Sequence, residues 1–382
     1  MVDFNLTPEQ QELVKMAEKF AKMEIAPVAP KYDHEGFPQE ILQKAFELGL
    51  MNTSIPSEFG GLGLGLLDQA LIVEEFAAAC PGIACVVFMN ELALAPIIKF
   101  GTQEQKEKYL PHFTQSPKLA TFALTEHGAG SDIGSIATTA RKEGDHYVLN
   151  GTKWFISNAP QASLHVVIAT HDPSLKQKGL SAFVVENNFD GISIGKGIEK
   201  LGMRATPTSE IILNNVKVPV SNLLGAEMDG SNIALASVNR TKVIVAAFGL
   251  GVAKSALQNA LAYSMQREQF GKPIGEFQAI QFKLADMAKD LEAARMLTWL
   301  AAWRYDQGLP STKEGSMAKA LATDVAMKSA VEAVQVYGGY GYIKEFPVEK
   351  MMRDAKVLQI LEGTNEIHRL VIAKELIKSI KE

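Results

Sequence analysis

Apolar residues recur at helical spacing over roughly the first 117 positions, fall into short β-branched runs up to about 225, and return to the helical period from about 229 onward. In LTPEQQELVKMAEKFAKME, Thr7 is placed as an N-cap, Pro8 at the first helical position and Gln10 to close a capping box. Leu13, Met16, Ala17 and Phe20 then form one face. Further helices are predicted over 67–79, 83–100 and 103–113, after the glycine-rich loop PSEFGGLGLG. The runs HYVLNGTKWFIS, LHVVIAT, LSAFVVE and SEIILNNVKVP read as strands. Gly144-Asp145 and Asn150-Gly151 are turn signals of an antiparallel barrel or sandwich. A long helix over 274–307 carries Ile280, Leu284, Met287, Leu291, Ala294 and Leu297 on one side. Helices, strands and helices in blocks predict an α+β protein, not a doubly wound sheet. The units are an N-terminal helical domain (1–117), a central β domain (118–228) and a C-terminal helical bundle domain (229–382).

At 382 residues the chain exceeds one typical core, so several packed units and an enzyme are both accommodated. A net charge of −5 with no basic block excludes a nucleic-acid footprint. The longest apolar run, VIVAAFGLGVA at 243–253, has 11 residues against the roughly 20 that span a bilayer, so no membrane insertion is expected. MVDFNLTPEQ has neither signal-peptide nor transit-peptide character, which points to the bacterial cytoplasm; a processed mitochondrial protein would have the same appearance. Cys80 and Cys85 build neither a metal site nor a disulfide framework, and no H-E-x-x-H occurs, so no metal is expected. The glycine clusters GGLGLG, GLGVAK and GGYGYI each fail the dinucleotide fingerprint. GAGSD is not a nucleophile elbow, because Ala129 and Gly130 precede Ser131.

In KVLQILEGTNEIHR, Gly363 is placed just past a helix end and Thr364 at the N-cap of the next helix, which leaves Glu362 in the last turn. A carboxylate there opposes the helix dipole, so its proton affinity is expected to rise. Four other stretches set glycine among polar and aromatic residues: FALTEHGAGSD, WFISN, QREQFGKPIGEFQ and QVYGGYGY. Each alone reads as a barrel loop, a core aromatic pair, a loop around Pro273 or a tight helix contact. Their order carries more information.

TEHGAGSD, QREQFGKPIGEFQ, QVYGGYGY and EFPVEKMMRDAKVLQILEGTNEIHRL, taken together, resemble the signatures of the acyl-CoA dehydrogenase family, and the resemblance runs from FNLTPEQ to the final helix. It implies the same three blocks, the last a four-helix bundle, with FAD at their junction. It also implies a homotetramer built as a dimer of dimers, an acyl-CoA substrate and electron-transferring flavoprotein as electron acceptor. Phe122, Leu124, Thr125, Phe155 and Ser157 match positions that line the flavin ring. Arg267, Gln269, Phe270, Gln335 and Gly339 match those that hold the adenine dinucleotide across a subunit interface, and Thr364 and Glu366 match further cofactor contacts. Ser131, Asn239 and Lys242 match the region that meets coenzyme A. Glu362 matches the catalytic base that takes the C2 proton of the thioester, with Gly363 beside it at the substrate.

His127 stands where proline is usual, Lys242 where arginine is usual, and Leu361 where a tyrosine commonly precedes the base. Phe88 and Met89 match the floor of the acyl pocket and Leu361 its mouth, which together imply a short, branched or cyclic acyl group. Glu91 is open to two readings, a paired or solvated charge or a second carboxylate facing the substrate. GIACVVFMN lacks the arginine that a glutaryl carboxylate would need. The rival readings are an acyl-CoA oxidase of the same fold and a non-catalytic helical binding protein.

Overall fold

Thr7 Oγ1 accepts the Gln10 N–H at 3.2 Å while Gln10 Oε1 accepts the Thr7 N–H at 3.1 Å, so the predicted capping box starts α1 (Pro8–Phe20). The computed structural model describes residues 5–381; positions 1–4 of the N-terminal unit, which include Phe4 of FNLTPEQ, and position 382 of the C-terminal unit lie outside the described residues. After α1 come α2 (Ala29–Glu35), α3 (Gln39–Glu47), α4 (Leu66–Ala79), α5 (Pro81–Phe88), α6 (Asn90–Phe100), α7 (Gln103–Tyr109) and α8 (Pro111–Thr114). Two helices expected to be continuous are each broken. Pro111 has no N–H for an interior helical bond and instead opens α8. Between α5 and α6, the buried Asn90 amide bonds Asn52 Oδ1, the Lys118 carbonyl and the Ala120 N–H, which ties the start of α6 to the strand domain.

The central domain contains β1 (Leu119–Ala123), β2 (Thr139–Glu143), β3 (His146–Ser157), β4 (Ala162–Thr170), β5 (Leu180–Glu186), β6 (Ile192–Ile194), β7 (Thr208–Pro219) and β8 (Leu223–Leu224), in the order β6-β7-β3-β2-β4-β5-β8. Most pairs are antiparallel, as expected, but β1 runs parallel to β4, and Thr139–Thr170 adds a parallel bridge between β2 and β4. Every residue of β1 is buried, so no alternation marks its faces or direction. β4 is covered on both sides: Val167 and Ala169 pack with Phe183, Ile211 and Val216 inside the sheet, while Leu164, Val166 and Ile168 pack with residues of α6, α7 and α8.

The C-terminal part comprises α9 (Gly230–Gln266), a ribbon of β9 (Glu268–Gln269) and β10 (Lys272–Pro273), then α10 (Gln278–Asp306), α11 (Thr312–Tyr337), α12 (Val348–Leu358) and α13 (Asn365–Lys381). α10 begins later than predicted, because Ile274–Glu276 form a separate 3-10 turn after Pro273. α9, α10, α11 and α13 make the bundle. α9 is long and apolar enough to cross a membrane, as is Pro81–Phe100, yet most of each is buried against the rest of the chain. Its glycines show why: a Cβ at Gly249 would lie 2.7 Å from the Ala322 carbonyl of α11, and one at Gly251 2.5 Å from the Glu74 carbonyl of α4. A single apolar core therefore runs from α1, α4 and α5 through α9, α10 and α11. α5 is seated on the β domain by Thr206 Oγ1 donating to the Gly82 carbonyl at 2.7 Å and by Asn158 Nδ2 donating to the Val86 carbonyl at 3.1 Å.

Candidate active site

Glu362 does not lie in the last turn of a helix. α12 ends at Leu358, and Glu362 and Gly363 follow in a turn with φ of 54° and 88° before α13. The expected dipole effect is therefore not the cause of its altered acidity. Burial is: the carboxyl is packed about by protein with only partial access to water, and this raises its proton affinity. A hydrogen bond from Thr241 Oγ1 to Oε2 at 3.1 Å and the nearby Lys319 cation oppose the rise in part. The turn is held through its backbone. His368 Nε2 donates to the Glu362 carbonyl at 3.1 Å, and Lys319 Nζ donates to the Gly363 carbonyl at 2.7 Å and to Asn365 Oδ1 at 2.9 Å. Thr241, Lys319, Asn365 and His368 were absent from the candidate set. The available signal was a lysine in the small-residue stretch GSMAKALAT, where a solvated charge has no place.

On the strand side, the Trp154 N–H donates to the Thr125 carbonyl at 2.8 Å, which sets residues 122–125 beside 154–157. Phe122 is buried, Leu124, Thr125 and Ser157 are half-buried, and Phe155 is 60% exposed with φ of 59°. Lys153, without solvent access, donates to the Leu124 carbonyl at 3.1 Å and to Glu126 Oε1 at 2.7 Å. Burial lowers Lys153 to about 8 against the pull of Glu126. Burial alone would raise the Glu126 carboxyl, but Lys153 and the N–H groups of Ala137 and Thr138 outweigh it and keep it ionised. Asp132 caps the short turn after exposed Ser131 by accepting the Gly134 N–H at 3.1 Å. The charged members of TEHGAGSD thus build the loop. His127 stacks on Trp154 with ring centroids 4.0 Å apart.

Arg267, Gln269 and Gly339 line a cavity of about 480 Å³ together with Tyr263, Tyr337 and Tyr340, the Arg267 guanidinium lying 5.6 Å from the Tyr340 ring centre. Gln335 is exposed nearby, and Phe270 is 95% exposed with φ of 54°. Gln335 is sixteen residues along α11 from Lys319, about 24 Å at 1.5 Å per residue. One chain therefore keeps this set well apart from the Glu362 turn. Thr364 and Glu366 line a second cavity, about 390 Å³, with Asp324, Gln359 and Arg369. These residues fit FAD. Gly338 and Gly339 have open space where a side chain would project, beside a guanidinium suited to a pyrophosphate, and the outward Phe155 with adjoining hydroxyl and backbone groups suits a flavin ring.

Of the residues matched to the acyl pocket, Phe88 is fully buried, Met89 half-buried, and Leu361 packs against the main core. Lys242 departs from its expected role. It is 2% exposed, and its ammonium is already spent on Asn239 Oδ1 at 2.7 Å, the Thr312 carbonyl at 3.0 Å and Ser316 Oγ at 3.0 Å, leaving no donor for coenzyme A. Gly315 makes room for its stem, since a Cβ there would meet Lys242 Cε at 2.8 Å. Asn239 is half-buried and bonded to that lysine. Glu91 is 1% exposed, accepts the Ser54 N–H at 3.3 Å and faces Arg240 Nη2 at 3.2 Å. Its Oε2 has no hydrogen-bond partner and no water-accessible surface, so it presents nothing to a substrate in this conformation.

The acyl-CoA dehydrogenase N-terminal, middle and C-terminal domains match residues 7–116, 121–216 and 228–377. The chain belongs to the acyl-CoA dehydrogenase family. As a member it is an oxidoreductase and an FAD flavoprotein. It is 44% identical over 375 residues to an acyl-CoA dehydrogenase of Bacillus subtilis, covering 98% of this chain and 99% of that one. It is also 44% identical over 380 residues to an acryloyl-CoA reductase (NADH) of Anaerotignum propionicum, covering 99% and 96%. Among solved structures it resembles butyryl-CoA dehydrogenase of Megasphaera elsdenii with a TM-score of 0.96 and 41% identity, covering 98% of this chain and all of that one. A chain from a structure of the electron transferring flavoprotein of Acidaminococcus fermentans also matches with a TM-score of 0.96, at 42% identity and covering 98% and 99%.

Proposed function

We propose that the protein dehydrogenates a short acyl-CoA thioester to the 2-enoyl-CoA, with Glu362 taking the C2 proton. The observation that carries this reading is a buried carboxyl with raised proton affinity, held by the Thr241 hydroxyl of α9 and facing the Lys319 cation of α11. A base of that kind is matched to a weakly acidic carbon proton. Bound FAD supplies acceptance of the C3 hydride. Phe122, Leu124, Thr125, Phe155 and Ser157 would hold its ring, with Thr364 and Glu366 further along. Arg267, Gln269, Phe270, Gln335 and Gly339 of a second copy would hold its adenine end, which their distance from Glu362 within one chain favours. That sharing would require at least a dimer, and the family resemblance extends it to a homotetramer built as a dimer of dimers.

Phe88 and Met89 would close the acyl pocket against long chains, in line with the similarity to butyryl-CoA dehydrogenase, and Leu361 leaves width for a branched or cyclic group. Ser131 and Asn239 remain candidates for the coenzyme A part. The likeness to the Acidaminococcus fermentans chain supports electron-transferring flavoprotein as the acceptor, and the Bacillus subtilis relative supports a bacterial cytoplasmic setting. The likeness to an acryloyl-CoA reductase supports a second reading, in which the protonated Glu362 returns a proton to C2 as an enoyl-CoA is reduced. Anaerobic flavin bleaching with butyryl-, isobutyryl-, cyclohexanecarboxyl-, octanoyl- and glutaryl-CoA tests the first reading through kcat/KM. Butyryl-, isobutyryl- or cyclohexanecarboxyl-CoA should lead; octanoyl-CoA as the best substrate would remove the proposed floor. Net flavin reoxidation by 2-enoyl-CoA, with no bleaching by any saturated thioester, would favour the second.

A further inference from the structure

Glu362 has a left-handed backbone, which a residue with a side chain keeps only when its surroundings impose it. Here both consecutive carbonyls of the turn are tied from outside it, that of Glu362 by His368 on α13 and that of Gly363 by Lys319 on α11. Lys319 has no solvent access and lies on a face of small buried residues, with Gly315, Ala318, Ala322 and Thr323. Both acceptors of its ammonium, the Gly363 carbonyl and Asn365 Oδ1, are neutral, and no carboxylate pairs with it directly among the described residues. A neutral donor could hold those two oxygens without desolvating a charge. The cation therefore calls for a further role, and Glu362 is the buried anion that it faces first.

We propose that Lys319 is a positioning residue of the active site, one that fixes the Glu362–Gly363 turn so that the carboxylate meets Thr241 and whose charge stands beside that carboxylate to favour its anionic form. This rests on the reading of Glu362 as the base. The other groups around the pair are few. Cys85 on α5 is held neutral by burial, which pushes its thiol up to about 11. His368 on α13 is held neutral by burial and by the charges of Lys319 and Lys242, which bring it down to about 4. Asp324 on α11 and Glu366 on α13 face Lys319, and Lys242 on α9 faces His368. None of these replaces Lys319 beside the carboxylate.

The test compares the FAD-loaded wild type with Lys319→Met and Lys319→Arg by two measurements. One is kcat/KM for butyryl-CoA from pH 5 to 9. The other is the carboxyl ¹³C resonance of Glu362, identified by its loss in Glu362→Gln. Loss of the cation should move the acid limb to higher pH. Lys319→Met should then be about tenfold slower than wild type below the limb and within about threefold above it, with KM little changed. Lys319→Arg should keep the wild-type limb. A loss of equal size at every pH in both variants would reduce Lys319 to a structural residue and overturn the proposal. Should Lys319→Met fail to fold, the wild type alone decides: burial brings Lys319 down to about 8, so the Glu362 resonance should shift a second time near that pH. A single inflection would refute the coupling. If no acyl-CoA bleaches the wild type, the functional reading fails while the carboxyl titration still reports on Lys319.

Discussion

Removing the Arg240 guanidinium isolates a carboxylate that has almost nothing else. Glu91 and Arg240 are 1% and 6% exposed, and Glu91 otherwise accepts only the Ser54 N–H, at 3.3 Å. Breaking a buried pair by deleting one partner costs about 3–5 kcal/mol, so Arg240→Met should approach that range. The other single change is milder. Glu91→Gln leaves Arg240 bonded to Gln69 Oε1 and facing a neutral amide, a cost of about 1–3 kcal/mol. With both charges gone neither is stranded, so Glu91→Gln/Arg240→Met should be more stable than Arg240→Met alone, a coupling of about 2 kcal/mol or more. Urea unfolding of the FAD-loaded variants, compared by midpoint at constant slope, reads these differences. Arg240→Met within about 1 kcal/mol of wild type, or a double variant no better than that single, would refute the reasoning. The same Glu91→Gln protein should keep the wild-type ranking of acyl-CoA substrates; selective loss on one acyl group would return Glu91 to the pocket.

Further outcomes follow from burial and from the cavity proposed to hold the dinucleotide. Burial brings His165 and His368 down to about 4. Both thus stay neutral in the folded chain while the unfolded chain takes up protons near 6.5, and stability should be full above about 6.5 and fall as pH drops toward 4. His165→Asn should flatten that slope in unfolding measurements at stepped pH; an unchanged slope would mean that His165 is not the buried neutral ring that bonds Thr121 and Asn187. Arg267→Ala should lower FAD retention and weaken subunit association together, since a charge-assisted phosphate contact contributes about 1.5–3 kcal/mol. Normal flavin content at normal sedimentation would contradict it.

Long-period features were legible in the residues: the capping box at Thr7, the helical face of α10 and the strand runs of the central domain are local patterns, and they appear close to where periodicity puts them. What failed to show was set by contacts across the chain. The parallel pairing of β1 with β4 has no signature when β1 is buried on both faces. The left-handed Glu362 is imposed by Lys319 and His368, 43 residues before and 6 residues after it in sequence, and no capping rule anticipates that. Lys242 was matched to the region that meets coenzyme A, and only the packing of α11 shows its three donors already spent. The direction of the Glu362 shift was expected correctly from a helix dipole that the turn does not supply; burial supplies it.

The most direct test of the central claim is single-turnover flavin bleaching by butyryl-CoA under nitrogen, for wild type and Glu362→Gln side by side. The amide keeps the size of the side chain and removes only its capacity to take a proton. The account predicts a yellow, folded variant that binds FAD normally and bleaches at least about 100-fold more slowly than wild type, the contribution usual for a general base. A variant that keeps more than about a tenth of the wild-type rate would place the base elsewhere, contradicting the account.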